Sequence, residues 1–239
     1  MDSKVPLIKA KVISNSFIAP GSFILEVEIK KSYNIFISND FFCYYCNISP
    51  ILRNIPYRPY CPFEIIKNDD NIFLKFVIKI RGKLGMSYFL SKLIKNDELF
   101  LSEPLEDFRI SYKNDSLKLL MIGYSTGIAP FLQIINNIKK NKYRIIIDEI
   151  TLIIGNKNMQ NAILLSYLNE LISELKYKIN FKLINRFDLK DKYSLNQDFL
   201  EGVPVYLKHK VEVICTGSPD FLKMIIKTLQ KYENLILNL

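Results

Sequence analysis

One histidine, His209, and no tryptophan occur in 239 residues. A lone imidazole excludes every mechanism that needs two, including His-rich zinc sites and bis-histidine haem ligation, and a Ser-His-Asp hydrolase would have to rest on it alone. Set between Lys208 and Lys210, it reads as a surface side chain. The four cysteines are too few for the paired framework of a secreted domain, so they read as thiols in a reducing compartment. Cys43 and Cys46 lie three apart in an apolar run with no second pair. On a strand they would face opposite sides, which argues against a zinc, redox or iron–sulfur role and for two structural cysteines. No metal site is expected. Apolar runs such as Leu119–Ile122 and Ile145–Ile147 fall far short of the ~20 residues that cross a bilayer. The start, Met1-Asp2-Ser3-Lys4, carries neither an apolar signal core nor a myristoylation glycine. The expectation is a cytoplasmic protein with no transmembrane segment, peripheral membrane contact being left open.

What the chain does have is a packed-protein balance, with 49% hydrophobic and 24% charged residues. Its length suits one large domain or two small ones. The formal charge of +9 comes from lysines spread evenly along the chain rather than gathered with exposed aromatics, so nucleic acid is not an expected partner.

Up to about Tyr112 the pattern is β-rich. Ala10–Ile13, Ser22–Ile29, Phe41–Ile48, Phe63–Lys67 and Ile72–Ile80 are β-branched and aromatic runs bounded by turn residues, which predicts a small antiparallel barrel interrupted by one helix, Met86–Ile94. After Lys113-Asn114-Asp115-Ser116 strands alternate with helices: Leu117–Ile122 with Ile128–Ile138, Ile147–Ile154 with Ala162–Leu175, and Val211–Cys215 with Asp220–Leu229. That alternation predicts a parallel sheet. The expected architecture is two-domain: an N-terminal antiparallel β-barrel over 1–114, then an α/β domain over 115–239.

Only 8 glycines are present, and three strands of the second half end on one: Gly123, Gly155 and Gly217. Ligands of open parallel sheets bind outside the carboxyl ends of the strands, where glycine admits a phosphate to the backbone. Any one of these could be a plain strand cap; the three together point to a nucleotide. Gly123-Tyr124-Ser125-Thr126-Gly127 is neither GxGxxG nor a P-loop. In the first half, Arg58 and Tyr60 alternate along the Pro-stiffened segment Arg58-Pro59-Tyr60-Cys61-Pro62, so a guanidinium and an aromatic face would be offered to one ligand. On spacing alone an edge strand with an ordinary surface arginine is the better reading. Gly82-Lys83-Leu84-Gly85-Met86-Ser87 opens the helix and reads either as an anion site or as a simple cap.

In this order and spacing the segments resemble the ferredoxin-reductase-like flavoprotein family, and within it the NADH-cytochrome b5 reductases. Arg58–Pro62 is similar to the family's Arg-Pro-Tyr-Thr/Ser-Pro flavin motif, Val77-Ile78-Lys79 to the following strand, and Gly85-Met86-Ser87 to the segment that holds FAD diphosphate. Gly123–Pro130 resembles the Gly-Gly-Thr-Gly-Ile-Thr-Pro turn, and Cys215–Asp220 the Cys-Gly-Pro-Pro turn. The resemblance implies an FAD-binding barrel and an NADH- or NADPH-binding domain, with hydride passing from nicotinamide to flavin and single electrons leaving for a small acidic haem protein of the cytochrome b5 kind. By residue it implies Arg58 on FAD phosphate, with Pro59 in the same motif, Tyr60 on the flavin ring and Cys61 at its N5. Val77 and Lys79 would lie beside the cofactor, and Gly85, Met86 and Ser87 at the diphosphate. Gly123, Thr126, Gly127, Gly155, Asn156, Gly217, Ser218 and Pro219 would form the coenzyme site, with Cys61, Thr126 and Thr216 nearest the chemistry.

The chain departs from the family at several of these positions. Cys61 replaces Ser or Thr, Thr216 stands where the family has cysteine, and Tyr124 and Ser125 replace glycines. Asn161 stands where NADH-preferring relatives carry aspartate, which with Lys157 nearby leaves coenzyme choice between NADH and NADPH open. These changes also admit a second expectation, a catalytically weakened member acting as a binding module or as an electron-transfer subunit of a larger complex.

Overall fold

The computed structural model describes residues 7–31, 42–49, 58–109, 117–140, 147–186, 211–230 and 235–238. His209 and the 110–116 junction lie outside them, as do the side chains of Cys43 and Cys46.

The first half is one antiparallel sheet of eight described strands: β1 (Leu7–Ala19), β2 (Ser22–Lys30), β3 (Phe42–Ser49), β4 (Arg58–Tyr60), β5 (Pro62–Lys67), β6 (Asn71–Lys79), β7 (Glu98–Ser102) and β8 (Leu105–Arg109). They run in the order β4-β3-β7-β1-β2-β6-β5, with β8 on β3. Strand alternation explains the core: Phe23, Leu25, Val27 and Ile29 of β2 face Ile72, Leu74, Phe76 and Ile78 of β6 inside, while Glu26 and Glu28 point away. Among the described residues the sheet is barrel-like but not closed, since β4 and β5, at the two ends of its path, do not pair with each other.

Helix α1 (Met86–Leu90) is half the length the apolar spacing predicts. Two side chains account for its early end. Asn15 of β1 donates its amide to the carbonyls of Leu90 and Leu93 at 3.0 and 2.8 Å, and Ser91 Oγ donates to Tyr88 O at 2.7 Å, so these carbonyls are satisfied without a further helical turn.

The second half is a five-stranded parallel sheet of β9 (Leu117–Tyr124), β10 (Ile147–Gly155), β11 (Asn180–Arg186), β12 (Val211–Thr216) and β13 (Leu235–Asn238), ordered β11-β10-β9-β12-β13. Helices α2 (Ile128–Lys139) and α3 (Leu165–Leu175) pack on one face, against Leu119, Met121 and Leu152, and α4 (Pro219–Leu229) on the other, against Leu120, Ile122 and Val213. The expected start of α3 at Ala162 is displaced to Leu165, because Asn158 closes a turn on Asn161 and Leu164 takes a left-handed φ of 57°.

One apolar cluster belongs to both halves. Cys61, Phe63 and Val77, on the outside of the first sheet, pack with Ile128, Phe131, Leu132 and Ile135 of α2. Helix α2 thus holds the end of β9 against the end of β6.

Candidate functional site

Strand order reverses between β9 and β12: from β9 the chain first builds outward through β10 and β11, then returns to the other side of β9 as β12. At such a switch point the connections after the two strands diverge and leave a crevice. Gly123 and Thr216 face each other there, in register, at the carboxyl ends of β9 and β12. The space is tight. A methyl group on Gly127 would lie 2.8 Å from Thr216 O, and one on Gly123 2.7 Å from the Phe131 ring, so only glycine fits either place. Thr216 Oγ1 donates to Gly127 O at 2.5 Å, which ties β12 to the turn Ser125–Gly127. Ser125 holds a φ of 55° in that turn, a left-handed conformation that costs a serine about 1 kcal/mol or more. Thr126 is half-buried in the same turn, which packs against β6.

The first half brings its own polar residues to this edge. Arg58 and Pro59 of β4 are exposed, and Tyr60 is half-buried against the barrel core. Burial pushes the Tyr60 phenol up to about 12, against the opposing pull of the Arg58 and Arg81 guanidinium groups. Lys79, at the end of β6, is half-buried and held below the ordinary lysine range by burial first, then by repulsion from Arg81 and from Lys157 of the other half. Cations from both halves are therefore near enough to Lys79 to disfavour its charge.

Cys61 is 6% exposed, and its thiol turns toward α2: Sγ lies 3.5 Å from Gln133 Nε2 and donates to Pro62 O at 3.6 Å. Val77 is buried in the cluster shared by the halves. Met86 and Ser87 are buried; the Met86 side chain belongs to the barrel core, and Ser87 Oγ accepts from Arg81 N at 2.8 Å, fastening the loop through Gly85.

At the neighbouring strand end Gly155 completes β10, and Asn156 N donates to Arg186 O at 2.9 Å. Asn156 is 3% exposed, and its Oδ1 has no hydrogen-bond partner among the described residues. Asn161 is engaged: its backbone and side-chain amides both donate to Asn158 Oδ1, at 3.1 and 2.5 Å. Gly217 and Ser218 lead into α4, where Ser218 Oγ caps Phe221 N at 3.4 Å and Pro219 takes the first helical position. Cys215 points to the opposite side of the sheet from Thr216, and burial pushes its thiol up to about 12.

Cys61 and Val77 thus pack against α2, and β6, which ends at Lys79, lies against the turn that holds Thr126 and Gly127, while Arg58 and Tyr60 stay on the barrel side and Gly155 and Asn156 sit one strand further along. Sequence reasoning missed Arg81 and Gln133. The signal for Gln133 was available, since an amide in the apolar run Ile128–Ile138 is the informative residue of that helix.

The fold has counterparts among known proteins. The cytochrome b5 reductase domain of Ulva prolifera nitrate reductase superposes with a TM-score of 0.70 over 97% of each chain, at 16% identity. The chain has the ferredoxin-reductase-like fold. Its sequence resembles the NADH-cytochrome b5 reductases: it is 26% identical over 171 residues to NADH-cytochrome b5 reductase 2 of Candida glabrata, covering 69% of this chain and 55% of that protein. To NADH-cytochrome b5 reductase 1 of Dictyostelium discoideum it is 30% identical over 131 residues, 54% of this chain and 44% of that one. The chain spans about half the length of these two relatives. No family model matches it.

Proposed function

We propose that the chain is an FAD-dependent reductase that takes a hydride from NADH or NADPH and delivers single electrons to a small haem protein of the cytochrome b5 kind. In this reading residues 1–114 hold FAD and residues 115–239 the coenzyme. The supporting observation is that the turn Ser125–Gly127, at the switch point of the parallel sheet, packs against β6, whose last residue Lys79 has its charge disfavoured by burial, Arg81 and Lys157.

The residues fit both nucleotides. Arg58 and Arg81 flank Tyr60, so a diphosphate and a flat ring find cations and an aromatic face together. Gly123 and Gly127 let the turn pack closely on Phe131 and Thr216 at the end of the strands, and the unpartnered Asn156 Oδ1 offers an acceptor to a ribose hydroxyl or an amide. FAD, when bound, accepts a hydride, two electrons with one proton, from the reduced nicotinamide and returns the electrons one at a time. The chain's own part is to bind, orient and keep water out. Gly85 and the buried Met86 and Ser87 shape the diphosphate loop, and Thr216 braces the Thr126 turn.

An acidic haem protein is steered to a surface of net charge +9, so its reduction slows as salt rises. The binding half of the proposal is tested by titrating FAD into the full chain and its Arg58→Ala variant. Saturable binding weakened on the order of tenfold in the variant supports it, given the worth of a charge-assisted hydrogen bond. No binding by the parent chain refutes it.

A second reading, a weakened relative serving as a binding module or as a subunit of a larger complex, is favoured by the Cys61 thiol, which turns to Pro62 O and Gln133. Tight FAD binding with negligible reduction of ferricyanide would select it.

A further inference from the structure

Helix α2 presents Gln133, Asn136 and Lys140 on one face, at the spacing that lines one side of a helix and its following residue. All three reach carbonyls of β5. Gln133 Nε2 donates to Pro62 O at 2.7 Å, Asn136 Nδ2 to Phe63 O at 3.1 Å, and Lys140 Nζ to Ile65 O at 2.6 Å. Among the described residues β5 pairs with β6 alone, with a register shift between Pro62 and Glu64, and the helix supplies donors to these three carbonyls.

Gln133 differs from the other two. It is 1% exposed within an apolar cluster, a costly place for an amide, and the same nitrogen that bonds Pro62 O lies 3.5 Å from Cys61 Sγ. The thiol in turn donates to that same carbonyl. Amide, carbonyl and sulfur form a closed triangle that fixes where the sulfur sits. Six residues earlier lies Gly127, the N-cap of α2, about 9 Å away at 1.5 Å rise per residue. The helix is therefore a rigid spacer with the coenzyme turn at one end and the Tyr60-Cys61-Pro62 segment at its middle.

We propose that Gln133 is a positioning residue for transfer between the halves: by holding Cys61 and Pro62 from α2, it sets the orientation of the Cys61 sulfur and the separation of the flavin strand from the coenzyme turn. The proposal rests on the reductase reading above. Asn136 and Lys140 fasten the same strand further along, away from the sulfur, and serve stability alone.

The experiment compares the full chain with Gln133→Leu, which keeps side-chain size without the donor, and Asn136→Leu. The readouts are Cys61 alkylation by iodoacetamide, followed by mass spectrometry, and the long-wavelength charge-transfer absorbance formed when NAD+ or NADP+ is added to the reduced flavoprotein. Q133L is expected to label Cys61 on the order of tenfold faster, to lose most of the charge-transfer absorbance, and to lower kcat with KM little changed. N136L is expected to lower the melting temperature and move none of these. Should Q133L fail to fold, Gln133→Asn, whose amide is one methylene too short to span both partners, takes its place with the same expectation. Labelling and absorbance unchanged from the parent would overturn the positioning role while leaving the reductase reading intact. A chain that binds no FAD would overturn both.

Discussion

Thr216 Oγ1 donates to the carbonyl of Gly127 at 2.5 Å, joining the carboxyl end of β12 to the turn that opens α2. The bond closes the floor of the crevice, and Thr216 is buried there. Thr216→Val removes this donor at constant shape and leaves the carbonyl with only the helical bond that an N-cap carbonyl accepts, so it is expected to cost about 1 kcal/mol of stability. Coenzyme KM should rise with it. Thermal unfolding and steady-state kinetics check both, and Thr216→Ser, which keeps the hydroxyl, should stay near the parent.

Ser125 pays for its left-handed φ of 55°, and glycine adopts that conformation without strain. Ser125→Gly trades the strain for extra freedom in the unfolded chain and is expected to net about 0.5–1 kcal/mol of stabilisation. A calorimetric melting temperature raised by roughly 1–4 °C is the expected result for a chain of this size.

Lys79 has its ammonium disfavoured by burial, Arg81 and Lys157. Its folded pKa lies below the unfolded value of 10.5, so between the two the folded chain binds fewer protons and this group's contribution to stability rises with pH. An anion in the crevice reverses the balance by favouring the charged form. Coenzyme binding should therefore take up protons and weaken as pH climbs through a range below that of ordinary lysines. A pH profile of coenzyme KM shows this limb in the parent chain and lacks it in Lys79→Met; a limb that persists in the variant contradicts the assignment.

At high pH the sign is opposite for Tyr60 and Cys215. Burial raises both to about 12, from 10.0 and 9.0. Below pH 9 their contribution is fully present; as pH rises toward 12 the unfolded chain loses protons that the folded chain keeps, and stability falls. Urea unfolding at successive pH values should show that decline, reduced in Cys215→Ala relative to the parent.

The sequence made the parallel half readable because its strands are continuous apolar runs followed by glycine. Leu117–Ile122, Ile147–Ile154 and Val211–Cys215 all appear, extended by one or two residues. β11 escaped because Asn180–Arg186 interleaves polar residues with half-buried ones, the pattern of a strand at a sheet edge. β7 and β8 are five residues each with a charged residue at or near the start, too short for periodicity to declare them. Within the site, glycines and the Arg58–Pro62 segment could be seen as motifs. The Gln133 contact with Cys61 joins residues 72 apart in sequence and exists only once the two halves are packed.

The central claim is that the two halves face one redox centre across the seam between β6 and β9. Anaerobic rapid mixing of the FAD-loaded full chain with NADH and with NADPH, followed by cytochrome b5, tests it most directly. The account predicts that at least one coenzyme bleaches the flavin absorbance in a single turnover and that the haem protein restores it with an equivalent gain of reduced haem. Flavin absorbance unmoved by either coenzyme would contradict it.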